Sequence, residues 1–324
     1  MKPVVPDSER GAALLAVLVL VVIMSGIAAG AFEKLRVSTA MAMNGASLDQ
    51  SRAYAVGVET LLALRVDDLV AESPDMTTLA GGWNGDTRTI DLPGEGQADG
   101  TITDGGNCFN LNSLVLRQDD GRLAGRPQAV NQFAALMTML GIGGGEAAQI
   151  AATASDYIDS DNLPQKLGVE DSGKVRAANH LMADPSELRA VTGVTDRHYR
   201  LLSRWICALP NTELSEINLN TLLPEQSPLV AMIAPGSIDP QRARAALQQR
   251  PAAGFDDPLD FWQLPGLAGI DLPSGAVGQT QLRTSFFVVK ARVESSDIDV
   301  RETTLIDARA TPARVIRRNW SDAS

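Results

Sequence analysis

One stretch limits what this chain can become: Arg10 to Phe32, RGAALLAVLVLVVIMSGIAAGAF. From Ala12 to Ala31 it carries no charge and a single hydroxyl, at Ser25. About 20 apolar residues at 1.5 Å rise each are enough to cross a bilayer core as a helix. The leader ahead of the run sets Lys2 and Arg10 against Asp7 and Glu9, and basic residues favour the cytoplasmic side. Everything beyond residue 32 then faces the opposite side. A cleaved secretory signal has a similar outline, but no small-x-small site with a polar mature start closes this run. Gly11 stands in front of it instead, so a cut after Gly11 keeps the membrane helix. Helical spacing also continues past the membrane, through Phe32, Leu35, Ala40, Met43, Leu48, Ala53, Val58, Leu61, Leu62 and Leu64. One long helix is expected, half in lipid and half carrying a head.

Downstream, Ser73-Pro74 and Gly81-Gly82 mark a loop. Thr87–Leu92 and Gly100–Thr103 read as strands around the turn cluster DLPGEGQADG. Asn107–Gln118 reads as a longer strand of the same sheet, ended by Asp119-Asp120-Gly121. After Pro127 the spacing predicts helices over Gln128–Leu140, Glu146–Ile158, Ser186–Val191, Asp196–Leu209 and Pro240–Gln249. Leu188, Val191, Val194, Leu201 and Leu202 are the expected core of the pair around Gly193. Thr284–Val293 and Ile298–Arg309 form a β-hairpin, and Thr311–Ser324 reads as a mobile tail. The fold class is α+β: a long membrane-spanning helix packed on an antiparallel sheet, with a large all-α domain inserted between early and late strands. The expected divisions are 1–11 as leader, 12–32 as membrane part, 33–126 as outer helix and first strands, 127–269 as inserted helical domain, and 270–324 as closing strands and tail.

A formal net charge of −11 argues against nucleic acid, because phosphate binding needs a concentrated basic surface. Ligating groups are densest in SDYIDSDNLPQKLGVED, residues 155–171. Asp156, Asp159 and Asp161 crowd together there, and Glu170 and Asp171 follow after a loop. Such carboxylates repel one another unless a cation intervenes, and an oxygen-only set suits Ca²⁺ better than zinc. The spacing departs from the EF-hand template, and a solvated acidic loop balanced by Lys166, Lys174 and Arg176 is the alternative. Gly141 to Gly145 lacks the Lys-Ser or Lys-Thr of a phosphate loop and reads as a helix-to-helix connection. His180 and His198 lie apart with no nucleophile motif beside them and read as surface or loop histidines, so no active site is expected. Cys108 and Cys207, in a head outside the cytoplasm, can form one disulfide or remain two buried thiols.

Taken together, a short leader ending in Gly, an uncut apolar helix and a helix-borne head resemble the type IV pilins and the pseudopilins of type II secretion. Within them the chain is similar to the K class of minor pseudopilins, general secretion pathway protein K. The likeness rests on CFNLN around Cys108 and CALP around Cys207, and on Tyr157-Ile158-Asp159-x-Asp161, Pro164, Glu170-Asp171 and Arg176-Ala177-Ala178-Asn179. It extends to Ser-Glu-Leu-Arg at 186–189, Gly193-Val194, Ile217-Asn218-Leu219-Asn220-Thr221 and FDDPLDFWQLPGL at 255–267. The resemblance implies a pilin-like sheet, cutting after Gly11 by prepilin peptidase and methylation of Ala12. Most members carry Glu five residues into the mature chain; this one has Ala16, as the K class does. The resemblance also implies calcium on Asp159, Asp161, Glu170 and Asp171, with Asp156 beside them, and it favours the Cys108–Cys207 bond. It implies a single-pass protein of the bacterial inner membrane, head in the periplasm, with no enzymatic activity. Its expected partners are the I-class and J-class minor pseudopilins and the major pseudopilin, with secreted cargo and the outer-membrane channel nearby. The place implied is the pseudopilus tip, where the subunit starts assembly and supports protein export. The alternative is a membrane-anchored helix-hairpin-helix binding protein of a DNA-uptake or type IV pilus system, resting on residues 185–210.

Overall fold

Helix α1 runs unbroken from Asp7 to Glu72, 66 residues without a proline, and Pro74 follows its end. That is about 100 Å of helix. Residues 11–47 are exposed throughout, and the apolar part is long enough to cross a membrane, with a mean hydropathy of 2.8. From Ser51 onward the helix buries one face: Ser51, Ala55, Val58, Glu59, Val66, Leu69 and Val70 fall at helical spacing. This is a computed structural model, and it describes residues 7–93, 96–170, 176–295 and 298–322.

That face packs on an antiparallel sheet begun by β1 (Thr87–Leu92) and β2 (Gly96–Asp104). β2 reaches back to Gly96, so the turn between the strands is shorter than the Gly- and Pro-rich composition predicts. The chain then leaves the sheet. β3 (Phe109–Asn110), a 3-10 turn over Leu111–Leu114, β4 (Val115–Arg117) and β5 (Leu123–Gly125) lead into α2 (Pro127–Met139) and α3 (Gly144–Ile158). Next come a 3-10 turn over Pro185–Ala190, α4 (Asp196–Leu202), β6 (Ile206–Cys207) and β7 (Ile217–Asn218). Short helices α5 (Pro228–Ala231), α6 (Pro240–Gln248) and α7 (Pro258–Trp262) and strand β8 (Thr280–Gln281) complete the excursion. The sheet resumes with β9 (Phe286–Ser295), β10 (Ile298–Asp307) and β11 (Arg314–Asp322), in the order β1-β2-β9-β10-β11. The two strands that bracket the excursion are therefore neighbours, with Ala98 opposite Val293 and Ile102 opposite Val289.

Two cores result. Val66, Leu69 and Val70 of α1 meet Trp83, Ile102, Phe287, Val289 and Ile306. Gly100 lets the helix sit close, since a Cβ there would stand 3.0 Å from Leu62 Cδ1 and 3.2 Å from Val58 Cγ1. The larger core fills the excursion, with Phe109 stacked on Phe133 (centroids 4.6 Å) among Leu111, Leu136, Ile150 and Leu188.

Four readings of the sequence need correction. Asn107–Gln118 is no strand of the main sheet: the side chain of Asn110 accepts from Asn112 N and bends the run into a 3-10 turn, and its ends pair with β6 and β5. In place of the α-helix expected over 186–191 there is a 3-10 turn over Pro185–Ala190, and α4 stops at Leu202 because the chain turns at Trp205 to lay Ile206 beside Phe109. Leu201 is 37% exposed, while Leu188, Val191 and Leu202 are core. The expected tail is an ordered strand: β11 pairs with β10 from Arg314 opposite Asp307 to Asp322 opposite Val300.

Candidate functional site

Helix α3 ends in carboxylates. Asp156 lies in its last turn and Asp159 caps it, both buried, and Glu170 returns to them across the loop. One oxygen from each of the three lies within 4.8 Å of the others. A helix C-terminus carries partial negative charge, so acids gathered there are unfavourable without a cation. Burial raises the Asp159 carboxyl to about 7, and Asp161, Glu170 and Asp156 push it the same way. Burial raises Asp156 as well, although Gln165 bonds its carboxylate through the backbone N–H at 3.1 Å. One oxygen of Asp159, Oδ1, is buried without a hydrogen-bond partner among the described residues.

The loop is shaped to bring its return strand in. Leu167 takes a left-handed φ of 79°, and a Cβ on Gly168 would collide with the carboxylate of Asp156. Ser155 Oγ accepts from Gln165 Nε2 at 2.7 Å, which fixes the first half of the loop on the helix. Asp161 stands outside the three-acid group, exposed, its Oδ1 accepting from Leu163 N at 2.8 Å. Asp171 and Lys174 lie outside the described residues. The donor set fits a hard divalent cation such as Ca²⁺: carboxylate oxygens only, no sulfur or imidazole, and a buried acceptor lacking a donor.

A second set of polar residues, which composition and spacing did not single out, ties the excursion to the sheet. Asp104, at the end of β2, is half-buried, and its carboxylate accepts from Thr221 and Thr284 hydroxyls at 2.5 Å each and from the N–H of Gly106 and Asn107. Asn107 Oδ1 accepts from Asn218 N, and Asn218 Nδ2 donates to Thr77 O and Thr284 Oγ1. Asn112 spans Met182 N and O and Leu209 O, while Asn220 holds both N–H and C=O of Phe255. The signal was present in the Asn spacing of CFNLN and NLNT: amides recurring inside apolar runs have to be buried with partners. Beside them Cys108 and Cys207 are bonded, with Cα atoms 5.8 Å apart and a separation of 99 positions in sequence. His198 is buried rather than at the surface, accepting from Thr195 N at Nδ1 and facing Glu146 through Nε2 at 3.3 Å. His180 is exposed.

The family described as Type II secretion system (T2SS), protein K, matches residues 107–211 and again residues 217–284. The type II secretion system protein K of Pectobacterium carotovorum is 31% identical over 319 residues, covering 96% of both chains. The chain belongs to the type II secretion system protein K family. The protein K of Klebsiella pneumoniae is 30% identical, again over 96% of each chain. A chain of the crystal structure of the GspK-GspI-GspJ complex from enterotoxigenic Escherichia coli superposes with a TM-score of 0.73 at 30% identity, covering 86% of this chain and 98% of that one. A protein K is a minor pseudopilin, and in this one the residues expected to be processed lie on the exposed end of α1. Gly11 has nothing within 4 Å of where a Cβ would be, and Ala12 and Ala16 are exposed. The helix-hairpin-helix reading of residues 185–210 is not favoured, since Leu188, Val191 and Leu202 there belong to the protein K core.

Proposed function

We propose that this chain closes the outer end of the type II secretion pseudopilus. In this reading prepilin peptidase cuts after Gly11 and methylates Ala12, and residues 12–32 hold the subunit in the bacterial inner membrane with its head in the periplasm. The I-class and J-class minor pseudopilins flank it, the major pseudopilin continues the shaft, and cargo and the outer-membrane channel lie ahead.

The observation that carries this reading is an exposed, unbroken apolar helix with Ala16 where an acid normally sits. In a bundle of packed apolar helices the charged amino terminus of each added subunit enters a dry interior and needs a counter-charge. A subunit with no carboxylate at that depth lacks one half of the head-to-tail pairing and suits an end. The 0.73 match to a chain of the GspK-GspI-GspJ complex supports the choice of neighbours. The bulk inserted between β2 and β9 supports an outermost place, where nothing is stacked above.

Calcium belongs to the same proposal. Asp156, Asp159 and Glu170 would hold the ion, with Asp161 and Asp171 the further oxygens of the loop, and the ion's contribution is to neutralise and order that loop. Co-purification of the head with the I-class and J-class heads, followed by metal analysis, tests both parts. A ternary complex containing calcium is expected. A head that stays alone would sink the tip assignment, and a metal-free complex the calcium assignment.

A further inference from the structure

Strand β11 is the sheet's outer edge, yet it is fastened to three separate parts of the protein. Ala313 N, just ahead of it, donates to Asp67 Oδ1 on α1 at 2.7 Å. Arg318 lies between two carboxylates almost wholly out of water, Glu59 of α1 (side chain 4% exposed) and Glu302 of β10 (1%). Its Nε and Nη2 reach Glu59 at 2.8 and 2.6 Å, and Nε stands 2.5 Å from Glu302 Oε1. The alternate residues of the strand turn to the helical excursion: Arg317 donates to the carbonyls of Ala183 and Ala208, and Asn319 Nδ2 to Asp184 Oδ2 at 2.7 Å. One strand therefore joins stalk, sheet and inserted domain.

The charges at its centre do not balance. With both acids ionised, one guanidinium faces two carboxylates and a net negative charge is left in a dry site. Glu302 Oε2 is buried without a hydrogen-bond partner among the described residues. Among the described residues no second cation forms an ion pair with either acid. On α1 the guanidinium of Arg52 lies 5.9 Å over the ring of Trp320, β10 contributes Thr304, which donates to Glu59 at 2.7 Å, and β9 places Ala291 opposite Glu302 with Val289 and Val293 flanking. A proton on Glu302 removes the excess charge and supplies a donor.

We propose that β11 is a pH-dependent clamp, holding stalk, sheet and inserted domain in one arrangement in mildly acidic medium and loosening as the medium turns alkaline. Burial, then the neighbouring Glu59, raises the Glu302 carboxyl to about 7. Burial would raise Glu59 too, but its bonds to Arg318, Glu302 and Thr304 hold it down at about 2. A raised folded value gives stability that is complete below the ordinary carboxylate range and lost as pH climbs through about 7. The contribution of Glu59 runs the other way and fails only near pH 2, so of this pair only Glu302 acts between slightly acid and slightly alkaline pH.

Hydrogen–deuterium exchange of the full chain in detergent micelles, at about pH 5.5 and 8.5 and corrected for intrinsic exchange rates, tests the clamp. Opening of the β11 amides should rise on the order of tenfold between those values while β9 stays protected, because Glu302 must lose its proton only in the closed form's dry site. Glu302→Gln, neutral and able to donate to Glu59, should keep β11 protected at both values. Equal β11 protection at both pH values in the native chain would overturn the proposal. So would a pH dependence that persists in Glu302→Gln, or β9 opening in step with β11.

Discussion

Asn112 shows how much one side chain holds here. Its amide group accepts from Met182 N at 2.8 Å and donates to Met182 O and Leu209 O at 2.9 and 2.8 Å, tying points 70 and 97 residues away. Asn112→Ala strips those buried groups of partners and should destabilise the head by about 2–4 kcal/mol, since each orphaned group is worth roughly 1–3; the midpoint of urea unfolding measures it. Arg318→Met leaves Glu59 and Glu302 buried without a counter-charge and should cost about 3–5 kcal/mol near neutral pH, with partial recovery at acid pH where Glu302 takes a proton. Thermal melts at two pH values check both the size and the sign. The role of Asn112 left a trace in the sequence as an amide inside an apolar run, whereas that of Arg318 was not legible there. An Arg in a polar C-terminal segment reads as solvated until the sheet brings Glu59 from 259 residues away. Ala16 was legible, because its meaning lies in what a short, uncharged side chain cannot offer at a fixed place in a long apolar helix.

At the scale of elements, α1 and the end of α3 behave differently. The long helix is specified locally: apolar composition, absence of proline to Glu72, and a buried face from Ser51 that repeats at helical spacing. Gly11→Asp should leave the helix intact yet block maturation, visible as a precursor band that persists on a gel. The α3 terminus depends on its loop. Chelation of a calcium-loaded head should lower its melting temperature, and Gly168→Ala should weaken binding of added Ca²⁺ by displacing Asp156, read by calorimetry. A head that melts identically with and without chelator would remove the cation from this account. The acids were found from their crowding in sequence, but which of the described ones converge was set by the loop: Asp156, Asp159 and Glu170 face one another, while Asp161 Oδ1 accepts from Leu163 N.

For the whole molecule the controlling fact is that the sheet's second and third strands lie side by side although the chain between them runs from Gly105 to Ser285. Closing so long a loop is entropically unfavourable, and the crossing is secured by Asp104, Thr221 and Thr284 at its neck and by Cys108–Cys207 further in. Replacing both cysteines by serine should destabilise the head by about 2–4 kcal/mol, less than the chain-entropy ceiling, because the asparagine network survives. Limited proteolysis should then cut within the inserted domain before the sheet. The sequence by itself determined the long apolar helix, the amphipathic face behind it, the β9–β10 hairpin and helices α2, α3 and α6, all of which depend on periodicities within one segment. Only the tertiary structure decided that Asn107–Gln118 leaves the sheet, that the supposed tail becomes its fifth strand, and which acids share a site. The first outcome depends on partners about 100 residues away in sequence, the second on pairing with the neighbouring β10 together with the Arg318 bond to Glu59, and the third on a loop conformation that no local period encodes.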